Sequence, residues 1–410
     1  TGERSISTTM AFVRVLNTIA RDREVGPRVV PIVADESRTF GMEGMFRQLG
    51  IYSSVGQLYH PQDAEQLMWY REDKLGQILQ EGINEAGALS SWIAAGTSYS
   101  NHNLPMIPFY IFYSMFGFQR VGDLTWAAGD SRTRGFLLGA TSGRTTLNGE
   151  GLQHEDGSSQ VAASFVPNCR SYDPTYAYEV AVIIQDGLRR MLVEQEDVYY
   201  YITLLNENYQ HPAMPPGAEE GILRGMYLLQ DAGKGDRKAP RVQLFGSGAI
   251  LREVQAASEL LAADWNVRSD VWAVTSFNEL QRDGVAARRW NLLHPHEKPR
   301  LSFAEECLHD HAGPAIAATD YIRTFAEQIH PFVASSGPGK PRRYVALGTD
   351  GYGRSDFRRR LRSFFEVDRH FVTIAALRAL ADESTISPAT IEKAIKKYEI
   401  DPNKPNPIDV

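Results

Sequence analysis

Apolar and polar positions change period several times along the chain, and the changes mark its elements. Phe12, Val13, Val15, Leu16 and Ile19 have the spacing of one helix face running to about Ala20, with Ser7 or Thr8 placed to cap it. RVVPIVADE then reads as a buried strand, Val29 to Ala34, with Asp35 and Glu36 at its C-terminal end. ESRTFGMEGMFRQLGIYS continues as a loop and short helix, and a polar passage follows from His60 to Asp73. From Gly76 a long helical pattern carries Glu81 and Glu85 among Ile78, Leu79, Ile83, Ala86 and Ala88. Four residues apart, the two acids would share a helical face. A very aromatic strand comes next, with Phe109, Tyr110, Phe112 and Tyr113, and leads past Phe116 into a second helix ending near Asp130.

Beyond it, Gly135 to Ala140 reads as a strand and TSGRTTLNGEGLQHEDGSSQ as a long polar loop without periodicity. VAASFVPN is expected to be a short strand, TYAYEVAVIIQDGLRRML an amphipathic helix and VYYYITLL a buried strand. Strands alternating with helices imply an α/β fold with mostly parallel sheets covered on both faces. NENYQHPAMPPGAEE, residues 206–220, has the Pro-rich composition of a linker. A second α/β unit follows, with strands at VQLFGSGAI, DVWAVTSF, AIAATD and RYVALGTDG, and a last helix at SPATIEKAIKKYEI. The expected division is therefore 1–205, a linker at 206–220, and 221–410.

The length of 410 residues exceeds one ordinary core, which agrees with two domains. The balance of 43% apolar and 23% charged residues is that of a soluble globular protein. A net charge of −7 argues against nucleic acid or an anionic membrane as the main partner. Two cysteines, Cys169 and Cys307, fit a reducing cytoplasm, and neither a membrane span nor a signal peptide is expected. The opening TGERSIST, without an initiator Met, has the look of a chain entered midway.

Chemistry is expected first at Glu85, because a carboxylate on a buried helix needs a partner and the aromatic stretch could wall a flat nitrogen heterocycle. Asp35 and Glu36, at a strand end, are either a helix cap or acids at a site mouth. His154, Glu155 and Asp156 form a surface turn by default, and a general-acid or carboxylate-binding group by their setting in a glycine-bearing loop. Gly246 to Gly248, between strand and helix, reads as tight packing more than as a phosphate cradle, for it has neither GxGxxG spacing nor a Walker lysine. Cys307, His309 and His311 with His294 and His296 do not match zinc-ligand spacing, so no metal site is expected in this chain.

Five segments taken together, VADESRTFGMEGMFRQLGIYS, KLGQILQEGINEAGA, NLPMIPFYIFYSMFGFQRVGD, SGRTTLNGEGLQHEDG and LGTDGYGRSD, closely resemble the homodimeric pyruvate dehydrogenase E1 component of bacterial 2-oxo acid dehydrogenase complexes. The resemblance runs from Ser5 to the end. It implies a thiamine diphosphate enzyme with transketolase-like domains, of which this chain looks like the pyrimidine-binding middle domain and the C-terminal domain. The domain that holds the diphosphate and Mg²⁺ is expected elsewhere, since no GDG motif completed by asparagines is present.

Residue by residue, the resemblance makes Glu85 the acid that bonds N1′ of the aminopyrimidine, Phe116 the ring that stacks on it with Tyr113 beside, and Ile83 the wedge that keeps the cofactor bent. It makes Glu36, with Asp35, an acid facing the reaction centre, and His154 a proton donor or carboxylate contact. The run after the histidine, HEDGSSQ, departs from the family pattern, in which further histidines follow. The implied reaction is decarboxylation of pyruvate and reductive acetylation of a lipoyl group carried by the E2 acyltransferase, in a cytoplasmic homodimer. The alternatives are a transketolase-type or other 2-oxo acid E1 enzyme, or a non-catalytic fragment or assembly subunit.

Overall fold

The computed structural model describes residues 4–34, 37–233, 239–334 and 341–410. The chain divides into two compact units, the first of residues 1–142, 162–171 and 176–213, the second of 143–161, 172–175 and 214–410. No described helix is long and apolar enough to cross a membrane.

In the first unit, helix α1 (Thr8–Ala20) is capped by Ser7, whose hydroxyl accepts the Met10 N–H at 3.2 Å. The sheet comprises β1 (Val29–Val33), β2 (Leu79–Gln80), β3 (Ile107–Tyr113), β4 (Phe136–Ala140), β5 (Cys169–Tyr172) and β6 (Tyr199–Thr203), in the order β2-β1-β3-β4-β6-β5. The pairings of β1 with β2 and β3, of β3 with β4 and of β4 with β6 are all parallel. Strands β1, β4 and β6 are buried throughout their length, as their unbroken apolar runs require in a sheet covered on both faces. Helices α2 (Glu85–Gly96), α3 (Phe118–Asp130) and α4 (Ala177–Leu188) supply cover. Trp92 of α2 packs edge-on to Tyr199 and donates its indole N–H to the Phe136 carbonyl at 3.1 Å.

Two expectations change. The residues 161–168 are not a strand: a short helix, Ser159–Ala163, precedes a turn, and the strand is β5 just beyond. Asn168 explains the shift, because its amide donates to the carbonyls of Gly129 and Asp197, both at 3.1 Å, and so fixes the turn. The helical pattern from Gly76 is also divided. Leu79 and Gln80 extend beside β1, and helix α2 starts only at Glu85.

In the second unit the sheet order is β11-β10-β8-β9-β7, with β7 (Met226–Gln230), β8 (Arg241–Gly246), β9 (Arg268–Val274), β10 (Ala315–Ala318) and β11 (Tyr344–Leu347). All pairings are parallel except β7 with β9, an antiparallel edge that the periodicity of MYLLQ does not announce. The longest helices of the unit are α5 (Leu251–Trp265), α6 (Phe277–Leu293), α7 (Arg369–Asp382) and α8 (Ala389–Lys397). The glycines between β8 and α5 are packing residues. A Cβ on Gly246 would lie 2.6 Å from the Leu251 Cα, and Gly248, at φ +50°, sits against the Asp173 carboxylate.

Candidate active site

In the first unit the candidate residues gather where α2 and α3 begin. The Glu81 N–H extends the strand pattern by bonding the Val33 carbonyl at 3.0 Å. Gly82, at φ +75°, then turns the chain. Asn84 caps α2, its side-chain oxygen accepting the Gly87 N–H at 3.1 Å, so Glu85 becomes the first helical residue. Glu81 and Glu85 therefore share no helical face. Glu81 instead accepts the Ser91 hydroxyl. Sequence periodicity carried the helix too far back because a left-handed glycine, Gly82, and an N-cap asparagine, Asn84, interrupt it within three residues.

Glu85 stands where the helix N-terminus presents partial positive charge. Its side chain is 11% exposed and pairs with Arg120, whose Nη1 lies 3.2 Å from Oε1. The Arg120 guanidinium also lies 4.1 Å from the centre of the Phe116 ring. Tyr113 and Phe116 are neighbours, ring centres 5.9 Å apart. The structure thus brings Glu85, Phe116 and Tyr113 together, and adds Arg120. A planar cation here stacks on one aromatic ring while donating to one carboxylate. That arrangement meets the demands of a flat nitrogen heterocycle, which would donate to Glu85 and stack on Phe116 in the same manner. Arg120 itself is 52% exposed and has room to move. Ile83, in the turn before the helix, is 73% exposed. Asp35 and Glu36 lie outside the described residues.

The other expected residue, His154, belongs to the second unit. It ends a short turn, Leu152–His154, with its side chain 24% exposed and Nδ1 3.9 Å from Glu150 Oε2. The surface-turn expectation fails for its two neighbours, because Glu155 and Asp156 are fully buried. Asp156, just before the next short helix, accepts the N–H groups of Ser158 and Ser159 at 3.0 Å each. Glu155 Oε2 accepts the Arg354 N–H at 2.7 Å. Burial pushes the Glu155 carboxyl up to about 8, reinforced by the charge of Asp320 and opposed by the Arg354 N–H and the Arg144 and Arg354 guanidinium groups.

The rest of the loop is threaded onto the strand ends of the same unit. Asp320, beyond β10, accepts the Thr145 N–H at 2.8 Å and the hydroxyls of Thr145 and Thr146 at 2.7 and 2.5 Å. Its burial raises the carboxyl above the ordinary range, against the pull of Arg362 and these donors. Arg144 donates to the carbonyls of Thr349 and Gly351, and burial lowers its own pKa. Sequence reading missed Arg120, Arg144 and Asp320. Arg120 and Arg144 stand inside motifs already singled out, but a single charged residue in a motif does not reveal which acid it meets.

Among the described residues, no group of three or more His, Cys, Asp or Glu side chains is placed to hold a metal ion. The histidines and Cys307 near the end of α6 and beyond accordingly form no metal cluster there.

Residues 1–212 match the family model described as the pyruvate dehydrogenase E1 component middle domain, and residues 225–368 match the transketolase-like C-terminal domain. A pyruvate dehydrogenase E1 component of Pseudomonas aeruginosa is 66% identical over 408 residues, covering 100% of this chain and 45% of that protein. One from Escherichia coli is 59% identical over 407 residues, covering 98% and 44%. The chain thus spans less than half the length of these relatives. Among solved structures, a transketolase from Leishmania mexicana superposes with TM-score 0.66 at 16% identity, over 93% of this chain and 46% of that one. A split-gene transketolase described as an inactive beta4 tetramer gives TM-score 0.59 at 13% identity, over 92% and 98%. These structural likenesses fix the fold, transketolase-like α/β.

Proposed function

This chain belongs to the pyruvate dehydrogenase E1 family, and from that premise we propose that it supplies the aminopyrimidine-binding half of a thiamine diphosphate site and the histidine loop of a pyruvate-decarboxylating E1 enzyme. One observation carries the proposal: the Glu85 carboxylate at the start of α2 is bonded by a planar cation that lies on Phe116. The same two groups would hold the pyrimidine ring, Glu85 at a ring nitrogen and Phe116 beneath its face, with Tyr113 and Ile83 as side walls. Arg120 would swing aside into solvent, a small movement for a half-exposed arginine.

Thiamine diphosphate, when bound, supplies the thiazolium that accepts the electron pair left by departing CO₂. The chain's own work is orientation and proton management. Glu85 holds a proton in common with the ring nitrogen and so sets the ring's tautomer. His154, at the end of its turn, offers an imidazole that can donate a proton or bond the carboxylate of pyruvate. Asp35 and Glu36, carried by the segment after β1, are assigned by resemblance to the acidic side of the reaction centre. The diphosphate and Mg²⁺ are assigned to a part of the protein beyond these two units. The expected acceptor is the lipoyl group of an E2 acyltransferase, the expected assembly a cytoplasmic homodimer.

The test uses the complete protein with thiamine diphosphate and Mg²⁺. Consumption of pyruvate with acetylation of an isolated lipoyl domain is the expected result. Consumption of a ketose phosphate with an aldose acceptor, and none of pyruvate, would overturn the substrate assignment in favour of a transketolase-type enzyme.

A further inference from the structure

The His154 loop leaves from the end of β4, yet its hydrogen bonds run to the second unit, of which it is a compact part. Beside the histidine the fit is close at Gly353. A Cβ on Gly353 would lie 2.6 Å from the Leu152 carbonyl oxygen and 2.9 Å from both Cβ and Oε2 of Glu155. The neighbouring Arg354 N–H donates to that same Oε2 at 2.7 Å, and the Ser355 hydroxyl donates to the Glu150 carbonyl at 2.5 Å. Leu152 and Glu155 bracket His154 within the turn. Residues 353–355 therefore lie against the chain on both sides of His154 in sequence.

From this geometry we infer that Gly353 and Glu155 are positioning residues for His154: the Gly353–Arg354 peptide, seated against the Leu152 carbonyl and the Glu155 carboxyl, sets where the imidazole stands. The inference rests on the reading of His154 as a reacting group, and deepens it. Glu155 meets the requirement in its neutral form. One oxygen takes the Arg354 N–H, while Oε1 is buried without a hydrogen-bond partner, a poor site for a full negative charge. The charged groups facing it are Arg144 from the start of its own loop, Asp320 from the end of β10 and Arg354 from the segment beyond β11. Burial outweighs the two cations, so the carboxyl keeps its proton near neutral pH.

The experiment compares Gly353→Ala, Glu155→Ala, Glu155→Gln and His154→Ala in the complete, cofactor-loaded protein. Two quantities are read: pyruvate turnover, and the pH profile of carbethoxylation at His154 followed by peptide mass spectrometry. Gly353→Ala is expected to lower kcat by about tenfold or more, as displacement of a reacting group does, and to shift the His154 modification profile. Glu155→Ala should act likewise, and Glu155→Gln, which keeps a neutral acceptor for the Arg354 N–H, should restore most of the turnover at pH 7. Above pH 8 the unsubstituted protein should lose activity that the Gln variant keeps.

Wild-type turnover and an unchanged modification profile in Gly353→Ala would overturn the inference. Should that variant fail to fold, the Glu155 pair decides: equal losses in Ala and Gln at pH 7 overturn it. Full activity in His154→Ala has a different meaning. It would remove the histidine's assigned role, while the modification profiles of the other variants would still report whether residues 353–355 position the imidazole.

Discussion

Glu85 and Glu155 are both shielded carboxyl groups, and the chain stabilises them in opposite ways. Glu85 stands at a helix N-terminus with a half-exposed arginine as partner. Charge there is compensated by a group that can leave. Glu155 is 1% exposed, meets one backbone N–H, and is held by the peptide of residues 353 and 354. Charge there is avoided, since removing a carboxylate from water without sufficient partners costs more than keeping the proton. A replaceable partner suits an acid that must receive an incoming ring. A neutral, fixed acid suits a support. Under the proposed function, burial alone does not separate a reacting acid from a supporting one; the exchangeability of its partner does.

The comparison breaks most visibly at Glu85. Glu85→Gln in the complete enzyme should leave circular dichroism unchanged, cost no more stability than the loss of one partly exposed ion pair, and lower pyruvate turnover by roughly 10²- to 10⁴-fold, the range of a lost proton-transfer group. Near-normal turnover would make the acid a structural partner of Arg120 and nothing more. The supporting side breaks at Asp320, which holds Thr145 and Thr146 by three bonds. Asp320→Ala removes an acceptor from buried donors and leaves Arg362 short of a counter-charge. Denaturant unfolding should register a loss on the order of 3 kcal/mol. A loss below about 1 kcal/mol would show that the loop is held from elsewhere.

How much of this was legible beforehand depends on range. Strands β1, β4 and β6 and helices α1 and α4 declare themselves through local periodicity, because burial is unbroken along each of these strands and one-sided along each of these helices. The resemblance to E1 motifs located Glu85, Phe116 and Tyr113 in one stretch, and the structure gathers them. The start of α2 was misread because Gly82 and Asn84 act by conformation and capping, which apolar spacing does not register. Glu155 and Asp156 depart from the surface-turn expectation for a different reason. A run of polar residues in a glycine-bearing loop looks solvated, yet its partners, Asp320 and Arg354, stand more than 160 residues on in the chain. Nothing within the loop itself announces them.

The Glu155 half of the comparison is sharpened by pH. An unfolded glutamate ionises near 4.5, whereas in the fold this one holds its proton to about 8. Between those values the unfolded chain binds fewer protons than the folded chain, so stability falls as pH rises. The advantage of the protonated form is complete below about 4.5 and gone above about 8. Glu155→Gln has no such proton. The unfolding free energy of the unsubstituted chain relative to that variant should decline by about 1.4 kcal/mol per pH unit across this window and level off above it. A flat difference from pH 5 to 8 would mean that Glu155 is ionised in the fold, and the contrast with Glu85 would disappear.

The smallest effect tests whether the Glu85 partner is in fact replaceable. Arg120 is half exposed and its guanidinium bridges one carboxylate and one ring. Exposed ion pairs contribute about 0–1 kcal/mol because water screens the charges and the long side chain loses freedom. The ring contact adds on the order of 0.5–1 kcal/mol at such a site. Arg120→Ala should therefore lower the unfolding free energy of this chain by no more than about 1.5 kcal/mol. Glu85→Gln should lower it by no more, and the double variant should fall short of the sum, since both single changes remove the same pair. A loss above about 3 kcal/mol at either position would place Glu85 with the buried, immovable pairs. Arg120 would then be a fixed wall of the site, and a ring could reach Glu85 only at the expense of the fold.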